Sequence, residues 1–376
     1  LGTQEAKATH FRYGHLTWQK VSGNTARFTL VNAFRRDGYF GSGPDGFPAV
    51  NDIINENIGG TVLFFGDFTS TSVLSYKVIS IDVANNWLLA IALESASNPA
   101  KESIDHTYPT ATNAGAPWLA QISSCCRTST EINNPDGNYT VSTSVELTSG
   151  NRSPVSSMLP IINVSQSANS QFLVPAADID PNTVLTWRLA TLNEAGLGFN
   201  QPSGLTIDPL TGQVSWNTLT AIVGGYYSCQ VIIEDRSGSI TGPIKTQVAV
   251  DFLIYINPQV FPCDVNLAPE FVAPSDPNGT IYTVQEGLAV TFSVNTSDPD
   301  AGNVIILNSA GIPSGATFTT PLPVSGNPVG TTFNWTPSIG QAGAYVISFS
   351  ATDSCGLQAL RSYTVNVTPA PLNCDL

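Results

Sequence analysis

Three landmarks occur twice in this chain at almost the same separation. Asp180 and Asp300 lie 120 residues apart, Trp216 and Trp335 lie 119 apart, and Asp235 and Asp353 lie 118 apart. The surrounding text repeats as well. Ala177–Pro181, Gln213–Trp216, Tyr227–Ile233 and Glu234–Gly238 are answered by Ser297–Asp300, Thr332–Trp335, Tyr345–Phe349 and Thr352–Gly356. An offset that holds over three landmarks marks two homologous units of about 110 residues, which must share one fold.

Residues 1–155 lack the signature and are expected to form a separate N-terminal β domain, followed by sandwiches at 156–262 and 263–376. For 376 residues, three domains is a comfortable division. Pro154 and Asn266–Phe271 mark the junctions. Both are short and have no Gly/Ser-rich spacer, so the domains are expected to sit end to end as a stiff rod.

The runs at Ala26–Val31, Val62–Phe65, Val73–Ile79, Trp87–Leu93, Tyr139–Leu147 and Val231–Ile233 are β-branched or aromatic and bounded by turn residues. With 31 Gly and 26 Pro, long helices are poorly supported. The fold class is all-β, three domains in tandem. Val248–Ile256, the most apolar stretch, is interrupted by Asp251 and reads as a buried strand rather than a membrane span.

The stretch Gly204–Trp216, and Phe333–Pro337 followed by Gly343–Tyr345 and Ala351–Asp353, resemble the Putative Ig and cadherin-like repeats of large cell-surface proteins. The resemblance covers about residues 155 to 376 and implies two homologous immunoglobulin/cadherin-like β-sandwiches. Ala8–Trp18 and Ser123–Arg127 are similar to the leading module of such extracellular repeat proteins. These families imply secretion or a cell-surface place, with adhesive or structural work, and no particular ligand.

The formal charge is −14. A nucleic-acid binder needs a basic surface to release counterions, so that partner is excluded, and an anionic membrane is disfavoured for the same reason. Leu1 is not a start methionine and no charged-then-apolar leader follows, so the chain is expected to be a mature form.

Six cysteines at 125, 126, 229, 263, 355 and 374 fit no zinc pattern and favour an oxidising compartment. Cys229 matches Ile347 in the next repeat, which makes it a buried thiol. Cys263 and Cys355 fall at one pole and are the expected disulfide. Cys125 and Cys126 are adjacent, so they bridge each other or reach elsewhere. Cys374 is then the candidate for an intermolecular contact. Glycosylation triplets stand at Asn138, Asn151, Asn163, Asn278, Asn295, Asn334 and Asn366, with Pro after three of the seven.

Calcium is the one cofactor with a candidate site, since it takes six to eight oxygen ligands from short acidic loops. In an immunoglobulin-like topology Asp298, Asp300 and Asp353 gather at one pole near Asp264 and Asn266, and Glu286 is a further candidate ligand. Asp264-Val265-Asn266 before Ala268-Pro269 is similar to half of a cadherin calcium linker, with Leu267 and Ala268 where acidic residues usually stand. The middle sandwich offers Asp178, Asp180 and Asp235. The competing reading is that these aspartates cap turns through their own side chains.

No nucleophile elbow, zinc-protease helix motif or phosphate loop occurs. Asp105-His106 is the sole adjacent acid–histidine pair and has no local nucleophile. Trp216 and Trp335 read as core; Trp18, Trp87 and Trp118 read as core or as a sugar-stacking platform.

The function expected is a non-enzymatic extracellular structural protein, a subunit of a self-assembling surface fibre or coat. The alternative is an adhesin module that binds a surface glycan or protein. In the fibre reading the partner is another copy, met head to tail: Leu1–Thr9 lies along a neighbour's sheet edge, and the proline-bearing Thr368–Leu376 projects with Cys374.

Overall fold

A computed structural model describes residues 10–55, 61–83, 85–258, 266–300 and 302–371. Among the described residues the architecture is all-β, with one 3-10 turn (Arg36–Gly38) and one α-helical turn, α1 (Leu192–Ala195). The first unit holds β1 (Phe11–Ser22), β2 (Thr25–Arg35), β3 (Ile53–Asn55), β4 (Leu63–Phe64) and β5 (Ser75–Asp82). It continues with β6 (Trp87–Leu93), β7 (Ile104–Thr107), β8 (Trp118–Cys125) and β9 (Asn138–Val145). The middle unit follows with β10 (Ile161–Ser165), β11 (Ser170–Leu173), β12 (Thr183–Leu189) and β13 (Thr206–Ile207). Next come β14 (Gln213–Trp216), β15 (Tyr226–Ser237) and β16 (Ile244–Asn257). The third unit has β17 (Glu270–Val272), β18 (Ile281–Gln285), β19 (Val290–Ser297), β20 (Ile305–Ala310) and β21 (Thr317–Phe318). It closes with β22 (Val324–Gly326), β23 (Val329–Trp335), β24 (Gly343–Thr352) and β25 (Gln358–Thr368).

The last two units share one strand order. In the middle unit β10, β16, β15 and β12 neighbour one another in one sheet and β11, β14 and β13 in the other. In the third unit the matching orders are β18, β25, β24, β20 and β19, β23, β21. The first pair is parallel in both units, Ile161 facing Leu253 and Ile281 facing Thr364. The repeated tryptophans do the same work twice. Trp216 Nε1 donates to the Ser203 carbonyl at 2.9 Å and Trp335 Nε1 to that of Ser314 at 3.2 Å. Their rings meet Tyr227 and Tyr345 edge to face, at 5.1 and 4.8 Å.

The end-to-end rod is corrected by the pairing of β16. One edge of this strand is taken along most of its length by β15. The other edge is divided: β10 takes the end of the strand, β1 pairs through Gly14–Asp251 and His15–Val250, and β9 through Thr143–Val248. The first and middle units thus share one continuous sheet and lie against each other sideways. Their cores exchange residues accordingly. Ile232 and Ala249 pack into the first unit's core, while Tyr13, Ala33, Trp87 and Leu89 pack into the middle one. Burial on both faces explains why β6 is apolar throughout, as Trp-Leu-Leu-Ala-Ile-Ala-Leu.

The third unit also meets its predecessor on a sheet face. Ser348 on β24 contacts Ser157 (Oγ to Oγ 3.0 Å), Gln358 accepts from the Asn163 amide at 3.1 Å, and Leu360 packs on the middle core.

Candidate functional site

Each of the last two units carries the same polar pole, built from the chain entering the unit and from two loops. In the middle unit Asn151 Nδ2 donates to Asp235 Oδ2 at 3.1 Å and to the Arg152 carbonyl at 3.1 Å. The Arg152 amide donates to Asp180 Oδ2 at 2.7 Å, and the Asp180 amide to Asp178 Oδ1 at 2.8 Å. In the third unit Asn266 Nδ2 donates to Asp353 Oδ2 at 2.5 Å and to the Leu267 carbonyl at 3.0 Å. The Leu267 amide donates to Asp300 Oδ2 at 2.7 Å, and the Asp300 amide to Asp298 Oδ1 at 2.8 Å. Asp178 Oδ2 in the middle pole and Asp298 Oδ2 in the third are buried without a hydrogen bond, as is Asp235 Oδ1 in the middle pole.

The two poles differ in charge balance. Arg152 reaches Asp180 at 3.2 Å and Lys245 reaches Asp235 at 3.1 Å, so the middle pole supplies its own cations. Leu267 stands where Arg152 stands. Burial, with Asp235 and Asp180 nearby, still pushes the Asp178 carboxyl up to about 7. Burial likewise raises that of Asp353.

The calcium expectation fits this pole only in part. Asp298, Asp300, Asp353 and Asn266 do converge. Glu286 does not: it accepts from the amides of Gly340, Ala342 and Ala370, beside the start of β24, whereas Asp353 follows that strand's end. Ten residues of strand separate the two by about 30 Å. Asn266 points its amide nitrogen, not its oxygen, at Asp353. Among the described residues no three His, Cys, Asp or Glu side chains are close enough to share an ion. Asp264 lies outside the described residues. The carboxylates that are described bind backbone amides, as turn-capping aspartates do.

Cysteines fall into three groups. Cys229 is a free, fully buried thiol, raised by that burial. Cys125 and Cys126 are bridged to each other. Cys355 is disulfide-bonded, and its expected partner Cys263 lies outside the described residues, as does Cys374.

The junction between the first two units is a buried polar cluster that sequence reasoning missed. Arg127 leaves β8 and enters the core, where Nη1 and Nη2 grip Asp251 Oδ1 and Oδ2 at 2.8 and 2.5 Å. Gln230 Nε2 adds a bond to Asp251 Oδ2 at 2.8 Å, and the Arg127 guanidinium lies over Phe199. Nearby Glu131 is buried with Oε2 unbonded, and burial pushes its carboxyl up to about 7. His15 bridges the units as a neutral ring: Nδ1 donates to the Ala249 carbonyl and Nε2 accepts from the Ser156 amide, both at 3.0 Å. Burial lowers its pKa to about 4. An aspartate inside an apolar stretch, Asp251, was the sequence signal for this cluster.

Trp18, Trp87 and Trp118 are all buried, so none is a sugar-stacking platform. Among the described residues the most exposed aromatics are Phe40 and Phe68, at loop tips of the first unit. Phe68 holds a left-handed backbone, φ +69°, which is uncommon for a bulky residue. The turn is fixed around it. Asp67 accepts from the Thr69 amide and hydroxyl and from His106 Nε2 at 2.8 Å, and His106 stacks on Phe65. His106 thus serves this turn, while Asp105 pairs with Arg27 and Lys101. Phe64 and Leu119, also exposed, flank the tip.

No described helix is long and apolar enough to cross a membrane. A cleft of about 300 Å³ opens between the middle and third units, and its walls carry no carboxylate, histidine or cysteine.

Residues 12–148 match the family "Integrin beta-like protein A-E, N-terminal", residues 155–269 the second Ig-like domain of the same proteins, and residues 273–368 the Putative Ig domain. Integrin beta-like protein A of Dictyostelium discoideum is 30% identical over 404 aligned residues, and integrin beta-like protein C of the same organism 28% over 403. Each alignment covers 96% of this chain and 19% of the relative, so the chain spans about a fifth of the curated relatives it matches. Among solved structures, Drosophila N-cadherin EC1-4 aligns at 13% identity over 84% of this chain and 69% of its own, with a TM-score of 0.25. Along its length, then, the chain is a tandem of Ig-like β-sandwich modules similar to those of the integrin beta-like proteins.

Proposed function

We propose that this chain is a non-enzymatic, adhesive segment of an extracellular protein, in which laterally braced sandwiches hold the loop tips of the first unit toward a partner. The observation that carries the reading is Phe68, fully exposed in a left-handed turn that Asp67, Thr69 and His106 hold in place. Strained, over-determined backbone concentrates at functional sites, and an aromatic side chain presented without freedom to relax loses little entropy on contact. Exposed Phe64 and Leu119 widen the contact, in keeping with the aromatic anchors of protein interfaces. Similarity to integrin beta-like proteins supports an extracellular or cell-surface setting.

The fibre reading from the sequence has less support. Its rod geometry is replaced by sideways packing, and Leu1–Thr9 and Cys374, which were to make the contact, lie outside the described residues. Beads coated with the full chain separate the partners. Aggregation of beads with one another identifies a second copy, retention on immobilised glycans identifies a sugar, and filaments in electron micrographs restore the fibre. Phe68→Ala is expected to abolish bead aggregation while leaving the circular dichroism unchanged. Adhesion that survives both Phe68→Ala and Phe40→Ala overturns the assignment of these tips.

A further inference from the structure

The adjacent bridge Cys125–Cys126 closes the shortest loop a disulfide can. Stabilisation by restricting the unfolded chain grows with loop length, so this bridge gives the least of it. Its position suggests other work. Cys125 is exposed at the end of β8, and Cys126 immediately precedes the buried Arg127. The segment that follows clamps the first unit to the middle one. The Ile132 amide donates to the Tyr226 carbonyl at 2.8 Å. Asn133 Nδ2 donates to the carbonyls of Asn200 and Ser228 at 2.7 and 2.8 Å. Asn134 Nδ2 donates to the Asn200 carbonyl and Ser228 Oγ, both at 2.8 Å, and its Oδ1 accepts from the Asn200 amide at 2.7 Å.

We propose that Cys125–Cys126 is a thiol-exchange site whose opening loosens this clamp, with small extracellular thiols as the reacting class. This goes beyond the adhesive reading and does not depend on it. A donor thiolate attacks the exposed Cys125 sulfur, and the Cys126 sulfur leaves as a thiolate that takes a proton from water. A second donor thiolate then attacks the donor sulfur of the mixed disulfide, and the Cys125 sulfur leaves and is protonated. Two electrons pass to the chain, which ends with two thiols, and the donors end as one disulfide. Accessibility sets which sulfur reacts: Cys229, fully buried, is closed to the same reagent. With the ring open, Arg127 is held only by its own contacts, and the 127–134 segment moves toward the low-stability end of the molecule.

The test uses the full oxidised chain with graded dithiothreitol, quenched with iodoacetamide and mapped by peptide mass spectrometry, beside amide hydrogen exchange. Cys125 and Cys126 are expected to be alkylated while Cys229 stays unlabelled. Exchange over 127–134 and its partners Asn200 and Ser228 should then rise at least about tenfold, with residues 281–335 of the third unit, apart from the Cys355 bridge, unchanged. The double variant Cys125→Ser/Cys126→Ser should show the faster exchange without reductant and no further response to it. Labelling of the pair only together with Cys229 overturns the proposal, because opening then requires global unfolding. Labelling with no change in exchange over 127–134 overturns the link to the clamp, and the wild-type titration decides this even if the double variant fails to fold.

Discussion

Arg127 and Asp251, 124 residues apart in sequence, form a two-pronged ion pair with both side chains fully buried between the first and middle units. Neither charge meets water. Burial works against the Arg127 charge, and Asp251 more than restores it. The pair is therefore a test of whether two units make one fold. Arg127→Met leaves Asp251 buried and unpaired, and is expected to cost about 3–5 kcal/mol in urea unfolding. Arg127→Met with Asp251→Leu removes both charges and should recover most of that loss. Equal loss in the single and double variants would show that packing, not charge, holds the junction.

Stability is expected to fall from mild acid to neutral pH. The folded state raises the carboxyls of Glu131 and Asp178 to about 7, above the ordinary carboxylate range. Their contribution is fully present below about pH 4 and is lost as the pH rises through about 7. His15 acts in the opposite sense. Its pKa is lowered to about 4, so its contribution is full above about pH 6.5 and is lost as the pH falls through the lower value. Two carboxyls outweigh one imidazole over the range they share, so the melting temperature is expected to fall as the pH rises from about 4 to about 7. Glu131→Gln should match the wild type near pH 4 and exceed it at pH 8 by on the order of 2 kcal/mol.

Residues 266–371 are expected to fold alone, because the third core is built entirely from its own strands. Residues 156–258 alone are expected not to, since the face of β15 and β16 that carries Gln230, Ile232 and Asp251 is covered by the first unit. Amide spectra of the two fragments check this. A cooperative melt from 156–258 would show that the shared sheet is dispensable.

Among the glycosylation triplets, Asn138 and Asn278 are exposed, and secretion from a glycosylating host is expected to modify both. Asn151 is buried, and the nitrogen that would carry the sugar donates to Asp235 and the Arg152 carbonyl. It should stay unmodified. Glycopeptide mass spectrometry reads all three at once, and a glycan on Asn151 would contradict the middle pole.

Part of the candidate site was legible because it is local. Asp178-Ile179-Asp180 and Asp298-Pro299-Asp300 fold back on themselves, each second amide donating to the first carboxylate at 2.8 Å. Spacing alone exposed these turns and their matching partners Asp235 and Asp353. Asn151 was readable only as a glycosylation triplet, since nothing local says that its amide meets a loop 84 residues away. Glu286 was placed at the wrong end for the same reason: being early in a sandwich does not say which pole a residue faces.

What the sequence determined by itself is the repeated sandwich. Constant offsets force equivalent residues into equivalent places, so Trp216 and Trp335 find matching carbonyls and Cys229 is buried as Ile347 is. Only the tertiary structure decided what lies on the far face of each sheet. Alternation along β15 and β16 separates an apolar side from a side bearing Gln230, Glu234 and Asp251. A polar side is equally suited to water or to another unit that brings Arg127, and that choice rests on contacts between residues far apart in the chain.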